Sequence, residues 1–502
     1  MWKNFLGPAV LAFAAPAAAQ APEPTNRSAP ADGAERIDLA RLWSDPTYAA
    51  SQLGRAEAAL ARGLGTAEAE AAAHALRAAA LATLDRDEES AAALGETFRR
   101  EPARLFTYQL AFMAADRLQG HERLLELVTL SVRRVPAEQR ERLRRLFSAD
   151  SMIWLSVRLQ RAGDRENYGR LAEALVEIGW PPPGDTTVGD MFRVEVLDRR
   201  LASGDRGAAA RIAATIGGPE AMQVLLTHRS YEGLIPAWSR PTEALAEAYA
   251  RHDRETREAV AAEPNLRSLL LRARLLRALG REAEVAALLP AAGAEAAYAA
   301  DPQGSIVLHH GAQALLALGR TDDAVALSAS HVAADAARGG SAVASAVRHA
   351  ELLWQAGRAA ESIDLAARLL RERDADLTDY SRPLIRSALS CALRVARRHV
   401  EAEVQLAELR RIGHPAALTR ALLCANRLDE AEALLVKRLR AAEPGAILAV
   451  QDYRTGGAAV GRLAQIHERL RALRRRPAVV AAMERAGRIV QVPAALISSE
   501  VF

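Results

Sequence analysis

The densest group of charged side chains lies near the C-terminus. Between Lys437 and Arg488 the chain carries 12 arginines and lysines against four acids. The centre of this stretch reads RLRALRRRP and contributes Arg469, Arg471, Arg474, Arg475 and Arg476. Guanidinium groups pair with carboxylates, sulfates and phosphates. The stretch therefore predicts a site for an acidic protein, an acidic polysaccharide or lipid headgroups, unless it is simply a solvated helix face.

Other residue types with chemical potential do not fall into catalytic patterns. Residues 456–462 read GGAAVGR and lack the Lys-Ser/Thr pair with which a P-loop holds phosphate and metal. His309 and His310 are adjacent, so on a helix they point about 100° apart and cannot readily share a metal ion. No HExxH, CxxC or GxSxG motif occurs. We therefore expect no cofactor, no metal and no enzymatic activity.

The composition limits the remaining classes. The chain has 502 residues, a net charge of +4, 50% hydrophobic residues and only 4% aromatic residues. The small net charge predicts no nucleic-acid binding. Much of the apolar content is alanine, which is typical of an all-α protein.

The N-terminus has the pattern of a secretory signal peptide. Lys3 precedes an apolar run that ends in the small residues Ala17, Ala18 and Ala19. The run is too short for a membrane anchor, which is the alternative. We expect cleavage after residue 19, a flexible leader over 20–36 and a periplasmic or secreted protein.

Two cysteines, Cys391 and Cys424, remain in the mature chain. An oxidising compartment would allow a disulfide between them. Both lie in apolar helical stretches, and their distances to the following turn differ by about one helical turn, which would separate their Cα atoms. We expect buried free thiols, with the disulfide as the alternative.

The clearest pattern is a repeated helix–turn–helix unit, found for example at ALGRTDDAVAL (317–327). The turns begin at Gly280, Gly319, Gly357, Arg397 and Asn426. Four residues earlier stand Leu276, Leu315, Leu353, Leu393 and Leu422. Seven residues earlier stand the small residues Ala273, Ala312, Ala350, Ser390 and Thr419. Five residues later stand Val285, Ala324, Ser362, Ala402 and Ala431. This spacing predicts two antiparallel helices that approach closely at their small residues, joined by a residue in the left-handed conformation.

The N-terminal half has the same unit with a regular period. Turns at Asp85 and Gln119 are 34 residues apart, and so are Pro102 and Pro136. In this the chain resembles the tetratricopeptide-repeat family. The resemblance covers pieces between residues 67 and 444, lacks most of the family's aromatic residues, and becomes irregular in the later repeats. It implies an all-α, right-handed superhelical array of antiparallel helix hairpins.

The predicted order along the chain is N-terminal repeats at 37–180, irregular repeats or a linker at 181–242, C-terminal repeats at 243–444 and a basic cap or tail at 445–502. Stacked hairpins offer long surfaces for binding. We therefore expect a non-catalytic scaffold that binds protein partners in the cell envelope. The resemblance implies a setting in envelope assembly or polysaccharide export. The alternative is a secreted α/α-toroid enzyme that acts on polysaccharide.

Overall fold

The computed structural model describes residues 37–118, 120–181, 186–290, 298, 301–337, 342–453 and 462–494. It is 79% helical, with 26 α-helices and almost no strands, which confirms the all-α prediction. The predicted signal peptide, the leader, the turn residue Gln119, residues 456–461 and the last eight residues lie outside the described residues.

The chain divides after Ile216 into two compact units. The predicted irregular stretch at 181–242 therefore contributes to both. The helices of the N-terminal unit are α1 Leu39–Ser44, α2 Pro46–Arg62, α3 Ala67–Thr83, α4 Asp87–Arg99, α5 Leu105–Arg117, α6 His121–Arg134, α7 Arg140–Leu146, α8 Ala149–Ala162, α9 Arg165–Glu177, α10 Thr186–Ala202 and α11 Arg206–Ala213.

The C-terminal unit begins at Gly217. Its helices are α12 Pro219–Thr227, α13 Pro241–Ala262, α14 Leu266–Ala278, α15 Glu282–Ala287, α16 Pro302–Ala317, α17 Thr321–Ala337, α18 Val343–Gln355, α19 Ala359–Glu372, α20 Ser381–Val395, α21 His399–Ile412, α22 Pro415–Cys424, α23 Leu428–Arg440, α24 Pro444–Ala449, α25 Arg462–Arg474 and α26 Pro477–Ala486. Two short strands, β1 Asp452–Tyr453 and β2 Gln491–Val492, pair in parallel. The first helices of successive hairpins, α14, α16, α18, α20 and α22, contact one another in chain order.

The predicted turn residues adopt the left-handed conformation that joins the helices of each hairpin. Positive φ angles occur at the predicted turn residues Asp85, Gly280, Gly319, Gly357, Arg397 and Asn426, and also at Gly163 and Gly204, which end α8 and follow α10. In each turn the next backbone N–H donates to the carbonyl four residues before the turn residue, as from Arg320 to Leu315 at 2.9 Å. This bond across the left-handed residue is the Schellman arrangement, which satisfies a carbonyl at the helix end and stops the helix. The turn prediction is confirmed.

Small residues lie where the two helices of a hairpin meet. In two hairpins a serine of the second helix donates a hydrogen bond to a backbone carbonyl of the first helix. Ser90 donates to Ala78 at 2.8 Å, and Ser362 donates to Ala350 at 2.7 Å. In both cases the serine stands five residues after the turn residue and the carbonyl seven residues before the turn residue. Such a bond requires that the backbone of one helix come within reach of a short side chain on the other. The five leucines predicted to pack there are all buried, at 4% exposure or less.

Each of these turns is followed by a charged residue that supports the start of the second helix. In six hairpins an arginine follows the turn residue and pairs with an acid three residues later, as Arg86 does with Glu89 at 2.7 Å and Arg320 with Asp323 at 2.8 Å. The acid lies in the first helical turn, where the helix dipole favours negative charge. In the hairpins at Gly163 and Gly204 an aspartate, Asp164 or Asp205, stands in place of the arginine and caps the helix with its own carboxylate.

The two ends of the C-terminal unit contact each other. Tyr453, in β1, accepts a hydrogen bond through its hydroxyl from the Gln223 side chain of α12 at 2.8 Å. The Arg488 guanidinium lies 3.9 Å from the centre of the Trp238 ring and donates to the Leu226 carbonyl at 2.8 Å. Residues near the end of this unit therefore contact α12 and Trp238, which lie at its beginning. Part of the predicted cap at 445–502 packs against the start of its own unit.

The expectation of free thiols is wrong. Cys391 and Cys424 form a disulfide, with their Cα atoms 5.3 Å apart. When the two hairpins are aligned on their turns, the cysteines lie four residues apart, which is about 6 Å along the helix axis. In the structure α22 is shifted along its axis relative to α20, so that the two cysteines lie side by side. The shift between helices of successive hairpins depends on tertiary packing, and the positions of the turns in the sequence do not reveal it.

The turn geometry makes opposite predictions for two glycines. A Cβ at either Gly319 or Gly54 would meet nothing within 4 Å, but Gly319 has a φ of 77° while Gly54 lies inside α2. We expect Gly319→Ala to lower the free energy of unfolding by about 1 kcal/mol, because L-residues avoid this conformation. The control Gly54→Ala should raise it by roughly 1 kcal/mol through helix propensity. Urea unfolding measures both, and a stabilising Gly319→Ala would contradict the left-handed turn.

Candidate functional site

The five arginines predicted to bind an anion do not converge on one point. Arg469 points to the C-terminal end of α22 and donates through Nη1 to the carbonyls of Leu423 at 2.6 Å and Cys424 at 3.0 Å. These carbonyls belong to the last turn of that helix, where the backbone lacks intrahelical donors. Arg469 therefore caps a neighbouring helix.

Arg474 has a similar internal role. Its Nε donates to the Ala449 carbonyl at the end of α24 at 2.7 Å, and its guanidinium lies 5.4 Å from the centre of the Tyr453 ring. Burial lowers the pKa of Arg474 to about 10, so the side chain is still charged at neutral pH.

Arg476 is held by two acids of α23, at 2.6 Å from Asp429 and 2.5 Å from Glu432. Arg471 and Arg475 are exposed. Three of the five arginines therefore hold the fold together, and the two exposed ones remain candidates for contact with an anionic surface.

A buried ion pair links helices two hairpins apart. Arg420 of α22 donates to Glu351 of α18 at 2.5 Å, with the two side chains 4% and 13% exposed. The helix between them, α20, is joined to α22 by the Cys391–Cys424 disulfide. Removal of one partner of a buried ion pair leaves an uncompensated charge. The pair and the disulfide together fix the three helices relative to one another.

A second group of charge-bearing side chains, buried at His310 and half-buried at the other three positions, lies on α14, α16 and α18. It consists of Arg277, His309, His310 and Arg348, which we call the cationic cluster. The two histidine rings lie 5.8 Å apart, centre to centre. His310 is 6% exposed, and within the described part of the chain its Nε2 has no hydrogen-bond partner. Arg277 donates through Nη1 to Glu282 at 2.9 Å, while its buried Nε is unpartnered among the same residues.

The electrostatics show that the four side chains influence one another. Burial, followed by the positive charge of Arg348, lowers the pKa of His309 well below its usual value. Burial, followed by the charge of Arg277, does the same for His310. Both imidazoles are therefore neutral at pH 7, beside two charged guanidinium groups.

A serine, a histidine and an aspartate meet between α16 and α17, but not with the connectivity of a hydrolase triad. Ser305 Oγ lies 2.7 Å from His331 Nε2, and Asp335 Oδ2 lies 3.7 Å from the same nitrogen. A catalytic triad uses opposite ring nitrogens for the nucleophile and the carboxylate. Here the Ser305–His331 hydrogen bond joins two helices.

The described residues contain no group of three or more histidine, cysteine or acidic side chains arranged to hold a metal ion. None of the helices among them combines the length and the apolarity that crossing a bilayer requires.

No protein-family model matches the chain, and no curated protein matches it. The geometry described above is therefore the basis for any functional proposal. It reveals two features that our sequence analysis missed. The arginine–acid pair after six of the turns was readable as a repeated Arg-x-x-Glu/Asp pattern. The cationic cluster was not, because its members come from three separate helices.

Buried histidines make the C-terminal unit sensitive to acid. Burial lowers the pKa of His414 and of His467 to about 4, and it also lowers the pKa of His228, His309, His310 and His349. The unfolded chain, with histidine pKa values near 6.5, binds protons more readily than the folded chain. Stability is therefore complete above about pH 6.5 and falls as the pH drops toward 4. We expect a loss on the order of 1–2 kcal/mol at pH 5 from each of His414 and His467.

Urea unfolding from pH 7.5 to pH 5 checks this expectation, with the two units followed separately by hydrogen exchange. The matched variant is His414→Asn, because the His414 ring accepts from the Ala417 backbone N–H at the start of α22 and asparagine can cap a helix in the same way. His414→Asn should flatten the pH dependence. An equal pH dependence in wild type and variant would contradict the assignment.

Proposed function

We propose that the chain is an exported, non-catalytic scaffold built from tetratricopeptide-like hairpins, which binds protein partners in the cell envelope. The observation that carries this proposal is the recurrence, in both units, of one hairpin with the same left-handed turn and the same 6→1 hydrogen bond. Arrays of such units present many side chains of successive first helices on one extended surface, which suits binding through many modest contacts. A right-handed superhelix is the arrangement that the family resemblance implies for these hairpins.

The export part of the proposal rests on two features. The N-terminal residues have the pattern of a secretory signal. The Cys391–Cys424 disulfide suits an oxidising compartment, because thiols in the cytosol are kept reduced. A periplasmic or extracellular location accounts for both.

Thiol trapping in intact cells tests the location. Alkylation of the denatured protein should find no free thiol before reduction and two after it. A chain without its first 19 residues, retained in the cytosol, should show two free thiols from the start. The double variant Cys391→Ser/Cys424→Ser should unfold more easily than the oxidised protein by about 3–4 kcal/mol, from the entropy of a 33-residue loop. Free thiols in the full-length protein would contradict export into an oxidising compartment.

Site-specific photo-crosslinking tests the binding function. Gln313 lies on α16 six residues before its turn residue and is half-buried; by helical periodicity it points away from Ala312 and Leu315, which face the hairpin partner. Val400 on α21 is 81% exposed. A photoreactive residue at position 313 should yield a discrete crosslinked product in cells, and one at position 400 should not. The product should persist in Arg471→Gln/Arg475→Gln if those exposed arginines are not part of the interface. Equal, diffuse crosslinking from positions 313 and 400 would contradict a specific surface on the first helices.

A second candidate function is favoured by the contacts between the two ends of the C-terminal unit. In an α/α-toroid enzyme that acts on polysaccharide, the first and last hairpins likewise meet. Turnover of an anionic polysaccharide by the purified protein, measured as new reducing ends, would support this candidate over the scaffold.

A further inference from the structure

Helix α26 is followed by a segment that lies against the start of the C-terminal unit. The Arg488 N–H donates to the Thr227 carbonyl at 2.9 Å, and Gly487 pairs with His228 as an isolated antiparallel bridge. A Cβ at Gly487 would collide with the Thr227 carbonyl oxygen, so the two backbones approach as closely as a glycine permits. We call residues 487–492 the closing segment, and we call its contact with residues 226–228 the joint.

His228 lies in the joint and uses both of its ring nitrogens. The Ser230 N–H donates to Nδ1 at 3.1 Å, while the Ala442 carbonyl lies 3.3 Å from Nε2. Because Nδ1 accepts from an N–H and Nε2 faces a carbonyl, only the neutral imidazole with its proton on Nε2 satisfies both contacts. The residue is 3% exposed, so these two backbone groups, rather than water, are the partners of the ring.

Among the described residues, the elements around the His228 ring give it no counter-charge. In the turn after α23, Arg438 and Glu443 pair with each other at 2.9 Å. In the closing segment, the positive Arg488 guanidinium lies over the Trp238 ring. The other charged or titratable side chains nearest in sequence to these contacts are Arg229, Tyr231 and Glu232 beside His228, Glu220 on α12, Lys437 and Arg440 on α23, Asp452 and Tyr453 on β1, and Glu484 and Arg485 on α26.

The pKa of His228 reflects this environment, because burial lowers it and the Ala442 carbonyl acts in the other direction. Protonation would place an N–H on Nδ1 against the Ser230 N–H, and it would bury a positive charge without a partner. Both costs vanish when the ring leaves the joint, after which it titrates near pH 6.5. The closed joint is therefore fully stable above about pH 6.5 and becomes less stable as the pH falls below that value.

We propose that His228 is a pH switch whose protonation releases the closing segment and parts the two ends of the C-terminal unit. The contacts that must break are those of the His228 ring, of the Arg488 N–H, and of the Arg488 side chain, which donates to the Leu226 carbonyl. The Gln223–Tyr453 hydrogen bond, at 2.8 Å, joins the same two ends and must break with them.

The opening leaves the hairpins of the unit folded. Gln451 donates to the Arg488 carbonyl at 3.3 Å and accepts from the Val490 N–H at 2.8 Å, so the closing segment stays paired with β1 when it leaves α12. The Cys391–Cys424 disulfide ties α20 to α22, neither of which forms the joint. The switch therefore acts on one contact between elements, and it is independent of the proposed scaffold function.

Hydrogen exchange of the full-length oxidised protein, resolved at single amides and corrected for the intrinsic effect of pH, tests the proposal. The Arg488 N–H reports the joint because it donates to Thr227. Its opening constant in wild type should rise between pH 7.5 and pH 5, by up to about 30-fold if the closed joint stays neutral. His228→Asn should remove this rise, because an asparagine side chain can accept from the Ser230 N–H and does not titrate.

Three further variants separate the joint from the rest of the unit. His414→Asn removes another buried histidine, one that caps α22, and it should leave the rise at Arg488 unchanged. Gly487→Ala should raise the opening constant at pH 7.5 to at least the wild-type value at pH 5, because its Cβ collides with the Thr227 carbonyl. The control Gly217→Ala, whose Cβ would come no nearer than 3.5 Å to the Arg251 side chain, should leave the joint closed.

The proposal is overturned if the Arg488 N–H has the same opening constant at both pH values, or if His228→Asn retains the full rise. It is also overturned if His414→Asn removes the rise, because the exchange would then report unfolding of the whole unit. A Gly487→Ala variant as well protected at Arg488 as wild type would contradict the close approach. None of these outcomes requires a protein partner, so they are distinct from the outcome of photo-crosslinking.

Discussion

The left-handed turn between helices is the constraint on which the rest of the structure depends. A residue with positive φ ends one helix at a defined point, and the next N–H satisfies a carbonyl of that helix. Because the stop is defined, the small residue five positions after the turn meets the one seven positions before it, as the hairpins at Asp85 and Gly357 show. The close approach that follows lets Ser362 reach the Ala350 backbone. A shift of one residue in the turn would replace these small side chains with large ones and force the helices apart.

Features set by local chemistry could be predicted from the sequence, and features set by the relation between hairpins could not. The turns, the buried leucines and the small contact residues follow from spacing within one hairpin. The disulfide depends on the stagger of α22 against α20, and the sequence carries no direct signal of that stagger. The partners of Arg469 and Arg474 are backbone carbonyls of other helices, which have no side-chain signature. For this reason a run of arginines looked like one binding surface when three of its members serve the fold.

These arginines share a role that explains why the positive charge is concentrated near the C-terminus. Arg469, Arg474 and Arg488 each donate to a carbonyl in the last turn of a different helix, namely α22, α24 and α12. The C-terminal end of a helix carries a partial negative charge and unsatisfied acceptors, both of which favour a guanidinium group. Arginine suits this task better than lysine because its planar group can donate to a carbonyl and still lie over a ring, as Arg488 does on Trp238. Part of the local excess of positive charge thus holds the last helices against earlier helices of the same unit.

The same ties determine which part of the C-terminal unit is held in one fixed arrangement. The Glu351–Arg420 pair and the disulfide hold α18, α20 and α22 in one arrangement, and the contacts of residues 223–238 with residues 453–488 join the ends of the unit. A surface held in this way loses little conformational freedom when it binds, so more of the contact energy appears as affinity. The cationic cluster uses α18 from this fixed set and adds α14 and α16. Of these, α16 is tied to α17 by the Ser305–His331 hydrogen bond.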